Sequence, residues 1–137
     1  MLRQRANTLT PITVLLVDQH AVVRNAYRRL LESNQDIRVV AEAGDSREAL
    51  HCTLASHPDV VIVELAMPEA SGIDITRCLL ASRPQLPVLI YSLHDDPIFA
   101  TRALQAGARG FICKVNAPEA IVRAVRCLAG GGCFFRR

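Results

Sequence analysis

Five short runs rich in Val and Ile, each followed by a stretch with helical spacing, constrain this chain more than any other feature of it. The runs occupy residues 12–17, 37–41, 60–63, 88–91 and 110–113. Near-continuous hydrophobicity over that length suits strands buried on both faces. Between them, Val22, Val23, Ala26, Leu30 and Leu31 make one apolar stripe, and Ala49, Leu50, Thr53 and Leu54 a second. Ile75, Cys78 and Leu79 make a third, Ala100, Ala103 and Leu104 a fourth, and Ile121, Val122, Val125 and Leu128 the last. Strand then helix, repeated in this way, predicts a parallel sheet with helices on both faces and right-handed crossovers. Boundary residues agree. Asp45 with Glu48 reads as a capping box opening the second helix, and Asp96-Pro97 as cap and first residue of the fourth. Pro118 reads as the first residue of the fifth behind a poor cap, Ala117, while Gly107 and Gly130 suit helix ends.

A chain of 137 residues, half of them apolar, is one domain with a core that needs neither disulfide nor metal. The net charge of +3 is too small to imply a nucleic-acid or membrane surface. No apolar stretch reaches the roughly 18 residues of a membrane helix, and the basic start lacks the apolar segment of a secretory signal. Residues 1–11 are therefore expected to be a disordered leader. Cys52, Cys78, Cys113, Cys127 and Cys133 form no metal-binding spacing, which points to reduced thiols in a cytoplasmic protein. Cys127 and Cys133, near the tail, could also bridge two molecules in air.

Parallel sheets place their sites outside the carboxyl ends of the strands. There the sequence sets Asp18-Gln19 after the first strand, Glu64 after the third, Ser92 after the fourth and Lys114 after the fifth. Polar residues commonly stand where a strand meets water. Two carboxylates, a hydroxyl and an ammonium at the matching ends of four strands are a stronger pattern, since the lysine would offset the repulsion of the acids.

These residues carry a resemblance. VLLVDQH, PDVVIVELAMPEASG, PVLIYS and GARGFICK resemble the receiver domain of bacterial two-component response regulators, especially the NarL/FixJ (LuxR-like) branch, over about residues 12–130. The resemblance implies a flavodoxin-like (βα)5 doubly wound sheet of strand order 2-1-3-4-5. It implies phosphoryl transfer from a histidine kinase to an aspartate after the third strand. Mg²⁺ would be held by that residue, by an acidic pair after the first strand and by a backbone carbonyl. Carried over by motif, Glu64 stands at the phosphoacceptor position, Asp18 and Gln19 at the acidic pair, and Ala66 at the carbonyl. Ser92 and Lys114 stand where the phosphoryl oxygens are gripped, and Phe111 at the switch aromatic.

Two positions depart from the family pattern. Gln19 replaces an acid, removing a full charge from a site meant for a hard dication. Glu64 replaces aspartate, moving the carboxylate outward by roughly 1.5 Å, where an error near 1 Å costs in-line chemistry about a hundredfold. The expectation is an atypical receiver, independent of phosphorylation, with Mg²⁺ binding weakened or lost. Glu64 either imitates part of an aspartyl phosphate, with about one charge against nearly two, or pairs inertly with Lys114.

Other polar groups have plainer readings. His20 occupies a slot common in the branch, Asp95-Asp96 fits helix capping, and His51, His57 and His94 lack partners at ligand spacing. Arg24, Arg28, Arg29, Arg123 and Arg126 read as solvated helix faces or, alternatively, a partner surface. Residues 131–137 read as a linker stub, flexible through Gly130, Gly131 and Gly132, toward an absent helix-turn-helix DNA-binding domain. The exposed pair Phe134-Phe135 favours truncation, since such residues dock on something. Expected partners are a sensor histidine kinase, that effector domain and a second copy in a homodimer; neither a membrane nor direct nucleic-acid binding is expected. The competing readings are a functional phosphoreceiver, a stand-alone interaction adaptor, and a flavin protein of the same topology. The last needs a Ser/Thr/Gly-rich loop where this chain has Asp18-Gln19-His20-Ala21-Val22. Nothing makes a case for an enzyme.

Overall fold

The computed structural model describes residues 10–93, 96–113 and 118–136, with Arg136 described by its backbone alone. Strands and helices alternate as β1 (Ile12–Val17), α1 (Ala21–Glu32), β2 (Ile37–Ala43), α2 (Ser46–Ser56), β3 (Val60–Glu64), α3 (Gly72–Ser82), β4 (Val88–Ser92), α4 (Pro97–Gln105), β5 (Gly110–Cys113), α5 (Glu119–Ala129) and β6 (Phe134–Arg136). All neighbouring strands pair in parallel, in the order β2-β1-β3-β4-β5-β6. The expected flavodoxin-like order 2-1-3-4-5 is present. The segment read as a linker stub adds a sixth strand beside β5.

Alternation along each strand feeds two cores. Val14, Leu16, Val60, Ile62, Leu89 and Ile112 face α1 and α5, meeting Leu31, Ile121, Val125 and Leu128. Leu15, Val17, Val61, Val63, Ile90 and Phe111 face α2, α3 and α4, meeting Ala49, Ile75, Leu79 and Ala103. Each fully buried Leu or Ile contributes roughly 1.5–3 kcal/mol by leaving water. Five stripe residues do not share that burial: Val22, Ala26, Leu54, Cys78 and Leu104 stand in solvent. A helix lying on a sheet buries only a narrow arc, and these residues fall at its margin.

Local signals work largely as expected. The Asp45 side chain accepts from Glu48 N at 2.8 Å, while Glu48 accepts from Gly44 N rather than from the cap residue itself. Asp96 caps α4 by accepting from Ile98 N. An unanticipated capping box, Ser71 with Asp74, opens α3. Pro118 is the cap of α5 and not its first residue, and Ala117 lies outside the described residues. Gly107 adopts the left-handed backbone after α4, whereas after α5 it is Gly131, not Gly130, that does so.

The amino-terminal edge of the sheet carries a cross-strand bracket. Thr13 donates to Asp59 Oδ2 through its amide (2.9 Å) and its hydroxyl (3.1 Å), and the Asp59 amide donates to the Thr13 carbonyl at 2.9 Å. This ties the start of β1 to the residue before β3, whose register runs from Val14↔Val60 to Val17↔Val63.

Candidate functional site

Five polar or charged residues are buried among those described: Asp18, Thr53, Glu64, Thr76 and Ser92. The two threonines sit inside helices and donate to carbonyls four residues back, at 2.7 Å each. The other three stand at the carboxyl ends of β1, β3 and β4. Burying such groups is costly unless they are satisfied, so this edge is where the fold spends free energy on something other than packing.

Asp18 is fully buried, and both its oxygens are engaged. Oδ1 accepts from the His20 amide at 2.8 Å, with the His20 ring nitrogen Nδ1 at 3.4 Å. Oδ2 accepts a short hydrogen bond from the Tyr91 hydroxyl. Tyr91 reaches it from β4, past β3, and its ring meets Tyr27 of α1 edge-on at 5.1 Å. Burial, followed by the bond to Asp18, pushes the Tyr91 phenol well above its ordinary range. Burial first, then the charges of Glu64 and Asp18, raises Tyr27 as well. Tyr91 is therefore a permanent donor to the acid. It is the site residue that sequence reasoning passed over, although a phenol inside an apolar run such as VLIYS requires a buried partner.

Gln19 does not face its acidic neighbour. Its amide nitrogen Nε2 donates to the Ala66 carbonyl at 3.0 Å, crossing from the β1–α1 loop to the β3–α3 loop. Glu64 ends β3, and its Oε1 lies 3.4 Å from the Ala66 amide. Leu65 N donates to the Tyr91 carbonyl (2.9 Å) and Gly72 N to the Leu65 carbonyl (2.8 Å), fixing the loop at both ends. Gly72 is required there, because a Cβ would meet the Glu64 carbonyl and come within 2.9 Å of Leu65 Cα. Ser92 ends β4 beside Cys113, and Phe111 is buried in the core shared with α3 and α4.

The structure thus brings together Asp18, Gln19, Glu64, Ala66 and Ser92; Lys114, His94 and Asp95 lie outside the described residues. Asp96 serves as a helix cap. Arg24 and Arg28 are not merely solvated: both bind Glu42 at the end of β2, and Arg24 also donates to the Asp18 carbonyl. Arg126 binds Asp36 and Asn34. Among the described residues, no group of three His, Cys, Asp or Glu side chains is arranged to hold a metal ion. No helix among them is long and apolar enough to cross a membrane.

Residues 14–126 match the family model described as the response regulator receiver domain. Among curated relatives, the transcriptional regulatory protein UhpA of Salmonella typhimurium is 40% identical over 124 residues, covering 90% of this chain and 61% of the relative. The transcriptional regulatory protein DegU of Brevibacillus brevis is 32% identical over 90% of this chain and 52% of its own length. The chain thus spans between half and two thirds of the length of these relatives. Among solved structures, a LuxR-family two-component response regulator from Aurantimonas superposes with a TM-score of 0.88 at 34% identity, covering 91% of this chain and 89% of that one. The receiver domain of a putative response regulator NarL from Mycobacterium tuberculosis gives 0.81 at 34% identity, covering 89% and 98%.

Proposed function

This chain belongs to the response regulator receiver domain family, and from that premise we propose that it is an atypical receiver of a two-component system, signalling without accepting a phosphoryl group. Receiver domains generally hold Mg²⁺ in the acidic pocket that this edge represents. The observation that carries the proposal is the Gln19 Nε2 bond to the Ala66 carbonyl. Two of the positions expected to coordinate the cation, 19 and 66, satisfy each other, and a third, Asp18, spends its oxygens on Tyr91 and His20. A hard dication would have to break these bonds and then find a neutral amide where it needs an anionic oxygen. The donor set therefore does not fit Mg²⁺, and each tenfold loss in its affinity corresponds to about 1.4 kcal/mol.

Glu64 stands at the phosphoacceptor position with one methylene too many. Its carboxylate stands at the pocket without the geometry for in-line attack. Ser92 and Lys114 take the positions that would grip phosphoryl oxygens, and Phe111 that of the switch aromatic. The role is regulatory and not enzymatic, in the cytoplasm. It is exercised on transcription through a DNA-binding domain, with a sensor histidine kinase and a second copy as the other partners.

The test is the intact mass of the protein after incubation with Mg²⁺ and a small phosphoryl donor. The wild type gains no labile phosphoryl group, whereas the Glu64→Asp, Gln19→Asp double variant gains one and its melting temperature becomes Mg²⁺-dependent. A gain by the wild type would restore an ordinary phosphoreceiver. Identical dimerisation in the wild type and a Glu64→Ala variant would favour a plain adaptor.

A further inference from the structure

The tail strand β6 is built to dock. Its residues pair in parallel with β5 as Gly110↔Phe134, Phe111↔Phe135 and Ile112↔Arg136, and Phe134 N donates to the Arg109 carbonyl at 2.8 Å. Three independent features prepare that contact. Gly110 makes room, since a Cβ there would stand 3.0 Å from the Phe134 carbonyl, as well as 2.7 Å from Leu89 Cδ1 and 3.2 Å from Leu128 Cδ1 in the core. Gly131 takes a positive φ to reverse the chain after α5, and at Gly132 a Cβ would press to 2.8 Å on Cys127 Sγ. Phe134 packs against the α1/α5 core with the Arg123 guanidinium 5.9 Å from its ring centre.

The direction of β6 matters more than its size. Helix α5 ends at the amino-terminal edge of the sheet, opposite the pocket. A parallel sixth strand carries the chain back, so that Arg136 sits level with Ile112, two residues before Lys114, at the pocket's own edge. Three residues span roughly 10 Å. We propose that Phe134–Arg136 is a releasable output strap. Docked on β5 it holds the chain's exit at the edge bearing Asp18, Glu64 and Ser92; released, the exit falls back to the opposite edge through the hinge of Gly130, Gly131 and Gly132. Three strand residues and one half-buried ring make it the weakest-held element of the sheet, as an element that moves must be. The proposal extends the reading of the domain as a regulator by naming the element that positions its effector, and it holds whether or not the pocket accepts phosphate.

Two native thiols report on it. Cys127 is half-buried, with Sγ 3.3 Å from the Cys133 carbonyl and under the tail; Cys113 is buried in β5 itself. Pulsed alkylation of the 137-residue chain, read residue by residue by mass spectrometry, should find Cys127 labelled at least about tenfold faster in Phe134→Ser than in the wild type, a shift of about 1.4 kcal/mol in the docking equilibrium. Cys113 labelling should stay unchanged. In the wild type, the Phe134 amide should exchange with deuterium about a hundredfold faster than the Val125 amide, reflecting local and not global opening. Equal Cys127 rates in the two proteins would show that the tail is not docked. Parallel acceleration of Cys113, or Phe134 exchange as slow as Val125, would show that β6 is a fixed part of the core, and either would overturn the proposal.

Discussion

Removing a single oxygen, in Tyr91→Phe, tests the logic of the pocket. The phenol donates to Asp18 Oδ2, and Asp18 is fully buried. The variant keeps the ring, its edge contact with Tyr27 and the shape of the core, so no cavity opens. What is lost is a hydrogen bond to a buried carboxylate oxygen that water cannot reach without opening the strand ends. Bonds of that kind contribute about 1.5–3 kcal/mol. A loss of that size lowers the melting temperature of a domain of this length by roughly 5–12 °C. The pH dependence adds a second, independent check. Burial and the Asp18 bond raise the Tyr91 phenol in the folded state above its ordinary value of 10.0. A raised folded value means its stabilisation is complete below the unfolded value and is lost as pH rises through the folded one. The gap between wild type and variant, measured by urea unfolding, should therefore be constant from about pH 7 to 9 and narrow above about pH 10. Tyr27 is present in both proteins and cancels. A gap below about 0.5 kcal/mol, or one that widens in alkali, would refute the view that Tyr91 holds Asp18.

Two further outcomes follow from the geometry. Gly72→Ala forces a Cβ onto the Glu64 carbonyl and Leu65 Cα, both backbone, and should cost about 3 kcal/mol in urea unfolding; a wild-type midpoint would mean that the loop is looser than described. Asp36 is held below the usual carboxylate range by its hydrogen bond to Arg126, so this contribution is present above pH 3.8 and lost as pH falls through the lowered folded value. Arg126→Ala should then cost under about 1 kcal/mol at neutral pH, because the pair is partly exposed, and less once Asp36 is protonated and only the bond to Asn34 remains. Thermal melts at both pH values would show it.

The five alternating strands and helices were legible because hydrophobic period is a local property that survives into the fold, whereas their order across the sheet came from the family resemblance and not from the period. Asp18, Glu64 and Ser92 were legible too, since strand ends can be read from where apolar runs stop. The sixth strand was not: FFR is too short to show alternation, and its pairing depends on Gly110, more than twenty residues earlier, leaving room for it. Nor was the Gln19 contact. Sequence gave a missing charge at position 19, but whether an amide turns toward Ala66 or toward solvent depends on where the β3–α3 loop lies, and that is set by Gly72 and the Leu65 bonds. Val22 and Leu104 misled for a related reason, because an apolar residue on a stripe's margin carries the same letter as one at its centre.

The bracket between Thr13 and Asp59 has a consequence for how such a pocket can change over evolutionary time. It levels β1 with β3 at the far end of the strands from Asp18 and Glu64, roughly 16 Å away at strand rise. A slip of one residue would turn both strands inside out, and that bracket guards against it without any help from the pocket. Alignment and chemistry therefore rest on different residues. Substitution at positions 19 and 64 can rewrite what the domain responds to while the scaffold stays in register, so a lineage can abandon one signal and try another without passing through an unfolded ancestor.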